Sequence, residues 1–203
     1  MNLRRLSNLC FVWALCMGGC LGRGEIIPIR YYGIDSLPAT VQLATRMWPV
    51  ALGVRPFTAA TRYRDHILYR TSAVEFAFYP YDRWVEPPEE MVTRLVSHMV
   101  RASSLFRQVV PADSVQLPAW ILSGEVTRFD EVREAGRRRA ECWLRVEVRR
   151  GRDEQLLWSE VLSAVEPLTE ETPAALAQAM SRAVQRVAQS LIAGLEKAPL
   201  SSS

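Results

Sequence analysis

Three runs near the C-terminal half decide the fold: Trp120-Ile-Leu-Ser-Gly-Glu-Val-Thr-Arg-Phe-Asp-Glu-Val132, Ala140-Glu-Cys-Trp-Leu-Arg-Val-Glu-Val-Arg-Arg150 and Gln155-Leu-Leu-Trp-Ser-Glu-Val-Leu-Ser-Ala-Val165. In the middle run Ala140, Cys142, Leu144, Val146 and Val148 alternate with Glu141, Arg145, Glu147 and Arg149. A period of two places the apolar set on one face of a strand and the charged set on the other. Trp143 falls on the charged side. The polar stretches Glu134 to Arg139 and Gly151 to Glu154 separate the runs, which predicts an antiparallel meander of three strands with one face to be covered.

Elements on either side can cover it. Thr172-Pro173 opens a helix, threonine as N-cap and proline at the first helical position. Leu176, Met180, Val184, Val187, Leu191 and Leu195 then form an apolar stripe opposite Gln178, Arg182, Gln185 and Gln189. Upstream, Pro87-Pro88-Glu89-Glu90 puts fixed φ angles and acidic charge at a helix start, and Met91, Leu95, Val96 and Met99 recur at helical spacing through Ala102. Shorter strand candidates are Tyr31 to Asp35, Leu52 to Phe57, Ile67 to Arg70, Val74 to Phe78 and Val109 to Val110. The second and third read as a hairpin joined by Thr58 to His66, and Pro80 should end the fourth. The expected fold is α+β: a single domain with a mixed or antiparallel sheet and two amphipathic helices packed on one face.

The N-terminus carries its own signal. Arg4 and Arg5 precede an apolar run from Leu9 to Met17, and Gly18-Gly19-Cys20 closes it. Nine residues at 1.5 Å each reach roughly 14 Å, too short for a hydrocarbon core of about 30 Å, so a spanning helix is excluded. The pattern reads as a lipoprotein export signal, cut between Gly19 and Cys20. The Cys20 thiolate is the nucleophile that takes a diacylglyceryl group, followed by an N-acyl chain, and two or more acyl chains hold durably where one holds marginally. The predicted organisation is a signal peptide over 1–19, a lipidated tether over 20–30, one domain over 31–197 and a tail over 198–203. Leu21 in place of aspartate favours the outer membrane, on its periplasmic face.

Removal of residues 1–19 leaves 184 of the 203 residues, enough for one core. The formal charge of +3 loses Arg4 and Arg5 and becomes about +1. The sequence pI of about 8.8 therefore gives no case for nucleic acid. Cys142 alone remains for the folded domain, on the apolar side of its strand. His66 and His98 have no metal-ligand spacing, and no phosphate-cradling glycine loop or nucleophile elbow is present. No catalytic residue, metal or non-covalent cofactor is expected. Arg137-Arg138-Arg139 and Arg149-Arg150 with Arg152 read either as a lipid-headgroup contact or as solvated turns neutralised by nearby acids.

The segment Tyr79-Pro80-Tyr81-Asp82-Arg83-Trp84 with Pro87-Pro88-Glu89-Glu90-Met91 adds a further signal. Together with Tyr31-Tyr32-Gly33-Ile34-Asp35, Leu52-Gly53-Val54-Arg55-Pro56-Phe57, Ile67-Leu68-Tyr69-Arg70 and Ala177-Gln178-Ala179-Met180-Ser181, it resembles the ABC-type transport auxiliary lipoprotein family, the PqiC-like lipoproteins. Met17 departs from the leucine usual at that position of the acylation motif. The resemblance implies a non-enzymatic component of an intermembrane phospholipid transport system. Such a protein would dock a periplasmic conduit built by a mammalian-cell-entry (MCE) domain protein at the outer membrane, as a homo-oligomer. Tyr79, Tyr81, Arg83 and Trp84 are the candidate partner contacts, since aromatics and arginine dominate binding hot spots. Trp84 reads equally as a packing residue beside Pro87. The alternative function is a periplasmic carrier holding a lipid or small apolar solute between sheet and helices.

Overall fold

The computed structural model describes residues 27–34, 41–114 and 117–200. The segment expected to be a signal peptide, Cys20 and the final serines lie outside them. Nine strands and two helices follow one another: β1 (Arg30–Tyr32), β2 (Trp48–Val54), β3 (Thr58–Ala59), β4 (His66–Arg70), β5 (Phe76–Trp84), α1 (Pro88–Ala102), β6 (Phe106–Pro111), β7 (Trp120–Glu134), β8 (Arg137–Arg150), β9 (Leu156–Pro167) and α2 (Pro173–Lys197). They make one α+β domain with a mixed, open sheet, as expected.

β7 is the spine of the sheet. Along one edge β8 pairs with it antiparallel, from Trp120 opposite Arg150 to Glu134 opposite Arg137, and β9 continues the meander beyond β8. Ala135 and Gly136 make the β7–β8 turn at φ of 50° and 72°. Two positive φ angles give a turn whose twist matches the strands it joins. Along its other edge β7 receives three short strands in succession, all parallel: residues 52–54 of β2 beside 120–122, β3 beside 125–126, and residues 69–70 of β4 beside 131–132. β6 then adds to β2, β5 to β4 and β1 to β5.

This topology corrects two expectations. Residues 52–57 and 67–70 are not a hairpin, because both run in the direction of β7 and occupy consecutive places on its edge, whereas a hairpin needs opposed strands. β5 also continues through Pro80 to Trp84. Proline lacks an N–H, and here it sits where the pairing with β4 shifts register between His66 and Leu68 and before β1 begins its pairing at Asp82. An interrupted edge is where a strand tolerates it.

Both helices lie on one face of the sheet and touch each other. Met91, Val92, Leu95, Val96, Met99 and Val100 of α1 are buried, as is the whole stripe predicted for α2. The Thr172 hydroxyl accepts from the Ala175 backbone N–H at 3.1 Å, completing the cap read from the sequence. Beneath the helices, Cys142, Leu144, Val146 and Val148 of β8 are fully buried together with Leu122, Val126 and Phe129 of β7. Among the described residues no helix is long and apolar enough to cross a membrane.

Candidate functional site

The aromatic segment 79–84 lies on β5, at the end of the sheet where β7 carries Asp130, Glu131 and Arg133. Tyr79 and Tyr69 stand edge to face at 5.5 Å. The Tyr79 hydroxyl donates to Glu131, a carboxylate with no exposure to solvent. Glu131 also accepts from Arg133 Nε at 2.8 Å, and the Arg133 guanidinium lies 3.5 Å over the Tyr69 ring. Arg138 bridges Glu131 at 3.6 Å and Glu171 at 2.6 Å. Burial, then the bond to Glu131, push the Tyr79 phenol up to about 12, so it acts as a fixed hydrogen-bond donor.

A second ionic cluster occupies the adjacent positions of the same strands. Asp130 and Glu141 stand directly opposite each other on β7 and β8. Like charges facing across a strand pair repel. Arg70, from β4, resolves this by donating Nε to Asp130 Oδ2 at 2.7 Å and a terminal nitrogen to Glu141. Arg128 and Arg139 each add a 3.1 Å bond to Glu141. Both acids are almost wholly buried, and Asp130 Oδ1 has no partner within the described residues. Burial raises the Asp130 carboxyl, with Arg70 opposing the shift and Glu141 adding to it. Tyr63 packs nearby, its phenol raised by burial and then by Asp130. Trp143 lies under Arg128, whose guanidinium is 4.2 Å from its ring, and is half-buried.

The structure separates the four candidate contact residues. Trp84 is buried against Phe129 at 5.2 Å between centroids, so it is a core residue and the expectation that it belongs to a contact surface is corrected. Trp84 is the last residue of β5, and its ring is turned onto β7 rather than to solvent. Arg83 is half-buried and spends its guanidinium on the carbonyls of Tyr79 and Asp82, at 2.8 and 2.9 Å. Tyr79 is committed to Glu131. Tyr81 remains exposed.

His66 bonds through Nδ1 to Asp65 at 2.9 Å and meets Phe78 edge to face, while His98 is exposed on α1. No cluster of three metal-ligating side chains occurs among the described residues. Cys142 is wholly buried, and burial pushes its thiol up to about 12. Of the basic residues, Arg138 pairs with Glu131 of β7 and with Glu171 ahead of α2, Arg139 with Glu134 and Glu141, and Arg149, Arg150 and Arg152 pair with Glu147 and Asp153. These arginines are neutralised by acids, as the second reading has it, but Arg138, Arg139 and Arg150 are partly buried rather than solvated. Between α1 and the β2–β6 end lies an open cleft of about 670 Å³, lined by Val54, Thr93, Ser97, Arg101 and Val109 among others. Elsewhere between sheet and helices, buried side chains of β7, β8, α1 and α2 join in one core cluster.

From the sequence, Glu131 and Glu141 count only among the acids that neutralise nearby arginines, and Asp130 is not singled out. The available signal was the pair Asp130-Glu131, where two consecutive charges interrupt a strand otherwise able to alternate.

The model of the ABC-type transport auxiliary lipoprotein component matches residues 32–192. The chain belongs to that family. Among solved structures, protein XCC0632 from Xanthomonas campestris superposes with a TM-score of 0.71 at 19% identity, covering 80% of this chain and 91% of that one. An uncharacterized protein follows at 0.61 and 12% identity, covering 82% and 98%. Protein CT253 from Chlamydia trachomatis follows at 0.51 and 13%, covering 73% and 96%. At these identities the likeness is one of fold. No curated protein matches the chain.

Proposed function

We propose that this auxiliary lipoprotein is anchored by acylated Cys20 to the periplasmic face of the outer membrane. There it docks, without catalysing a reaction, the MCE-type conduit of an ABC-driven phospholipid transport system. The observation that carries this is the family match over 32–192, which spans nearly all of the folded domain. Physical chemistry supports a docking role: exposing acyl chains to water costs about 0.8 kcal/mol per methylene, so a lipid conduit needs a sealed end. A tether confines the search for that end to a plane and raises the local concentration. Self-association is supported by β9, whose outer edge is unpaired among the described residues and carries no lysine or arginine to block pairing.

The test is envelope fractionation of the wild-type chain and Cys20→Ser, with mass analysis of the N-terminal peptide and crosslinking in intact cells. The expected result is a diacylglyceryl increment on Cys20, outer-membrane density, and a crosslink to an MCE-domain protein that is lost in Cys20→Ser. An unmodified Cys20 overturns the anchor. An anchored chain that crosslinks to no such protein overturns the docking role.

A further inference from the structure

The exposed apolar side chains are unevenly placed. Val74, at the tip between β4 and β5, is 86% exposed, and Phe76 and Phe78 behind it are 43% and 48% exposed. The tip is ordered: Thr71 N–H donates to Glu75 O at 3.2 Å, and the Ser72 hydroxyl accepts from the backbone N–H of Glu75 at 3.1 Å. Phe76 and Phe78 project to the same side, opposite Arg70 and Leu68. Ile27 and Ile29, the entry to β1, are 49% and 51% exposed. Since β1 runs parallel to β5 with Arg30 beside Asp82, the residues before Arg30 lead back along β5 toward this hairpin. Leaving apolar side chains in water forgoes the gain of burying them, and contiguous patches of this kind mark membrane or partner contacts.

The tether decides between these occupants. Six residues separate Cys20 from Ile27, and at most about 3.6 Å per residue gives a reach of about 25 Å. A domain of this size is about 40 Å across. The end that carries Ile27 is therefore confined to within about 25 Å of the bilayer, less than the width of the domain, and is the end that can reach it. We propose that the β4–β5 hairpin, through Val74, Phe76 and Phe78 with Ile27 and Ile29, is a membrane-contacting surface that inserts among lipid headgroups and fixes the orientation of the domain. This rests on acylation of Cys20, and it adds what the tether alone lacks: a tether restricts distance, while the hairpin sets which way the domain faces.

The test is the lipidated protein carrying Val74→Cys, labelled with an environment-sensitive maleimide fluorophore. Cys142 is buried and its thiol is held largely protonated, and Cys20 is capped, so labelling is confined to position 74. Leu117→Cys is the control, exposed and adjoining Trp120 at the opposite end of β7 from the hairpin. On reconstitution into phosphatidylethanolamine–phosphatidylglycerol vesicles, the label at 74 should shift to the blue, brighten at least twofold and be quenched by headgroup-proximal nitroxide lipids, with the label at 117 unchanged. A label at 74 that stays in water on protein that floats with the vesicles overturns the inference alone. A shift that follows protein concentration without vesicles assigns the hairpin to a second copy and also overturns it. Protein that fails to float removes the tether, and this inference with it.

Discussion

The two halves of β7 fold by different physics. From Trp120 to Val126 the strand lies under the helices, its inward residues Trp120, Leu122 and Val126 wholly or almost wholly buried among apolar neighbours. From Phe129 onward it carries Asp130, Glu131 and Arg133 into ionic clusters shared with β4, β5 and β8. The first half needs only area removed from water, which is non-directional. The second half needs each charge matched at a fixed distance, because a buried ion without its partner is costly. The same strand is therefore tolerant of chemically similar substitutions at one end and intolerant of any unmatched change at the other.

Trp120→Ala should produce the largest effect and mark the dry half. Trp120 is nearly fully buried and edge to face with Trp48 at 5.0 Å and Phe106 at 6.0 Å, so it joins β7 to β2 and β6. Truncation is expected to cost roughly 4–5 kcal/mol, read as a lower urea midpoint, and to be nearly independent of pH. Arg70→Met should come next, at about 3 kcal/mol near neutral pH, since it leaves Asp130 and Glu141 facing each other without the guanidinium between them. Its signature is recovery on acidification, because protonating Asp130 removes one of the two charges. If Arg70→Met instead costs the same at all pH values, packing of the arginine stem, and not charge matching, governs this end.

The difference also explains what could be read from the amino acids alone. Alternation from Ala140 to Val148 and the stripe from Leu176 to Leu195 are one-dimensional patterns, so the meander, both helices and the covered face were legible. The parallel seating of β2, β3 and β4 along β7 was not, since a two-residue strand such as Thr58–Ala59 has no period and parallel order leaves no turn motif. Trp84 misled for a related reason: composition marks it as a hot-spot residue, and only its packing against Phe129, 45 positions away in sequence, makes it core. The acylation proposed at Cys20 is the reverse case, a reading that rests entirely on local spacing. The ionic clusters unite residues up to 71 positions apart, as in Arg70 and Glu141, and no local pattern announces such a match.

The finest test of the comparison is Asp130→Asn, which keeps an acceptor for Arg70 and cannot ionise. Burial holds the Asp130 carboxyl above its ordinary value of 3.8, so the folded protein keeps that proton to higher pH than the unfolded chain does. Between 3.8 and the raised value the native state binds more protons than the unfolded state, and stability falls as pH rises. Asp130 thus contributes its full favourable share below 3.8 and loses it through the folded value, at about 1.4 kcal/mol for each pH unit of displacement. The exposed Asp153 and Glu196 move the opposite way, with carboxyls lowered by hydrogen bonds and by nearby arginine or lysine, and their contributions cancel when wild type and variant are compared at each pH. The expected result from urea unfolding between pH 7 and pH 4 is that wild type gains on Asp130→Asn as pH falls. A constant gap would mean that Asp130 is hydrated in its cluster, and the ionic half of β7 would then differ from the dry half only in composition.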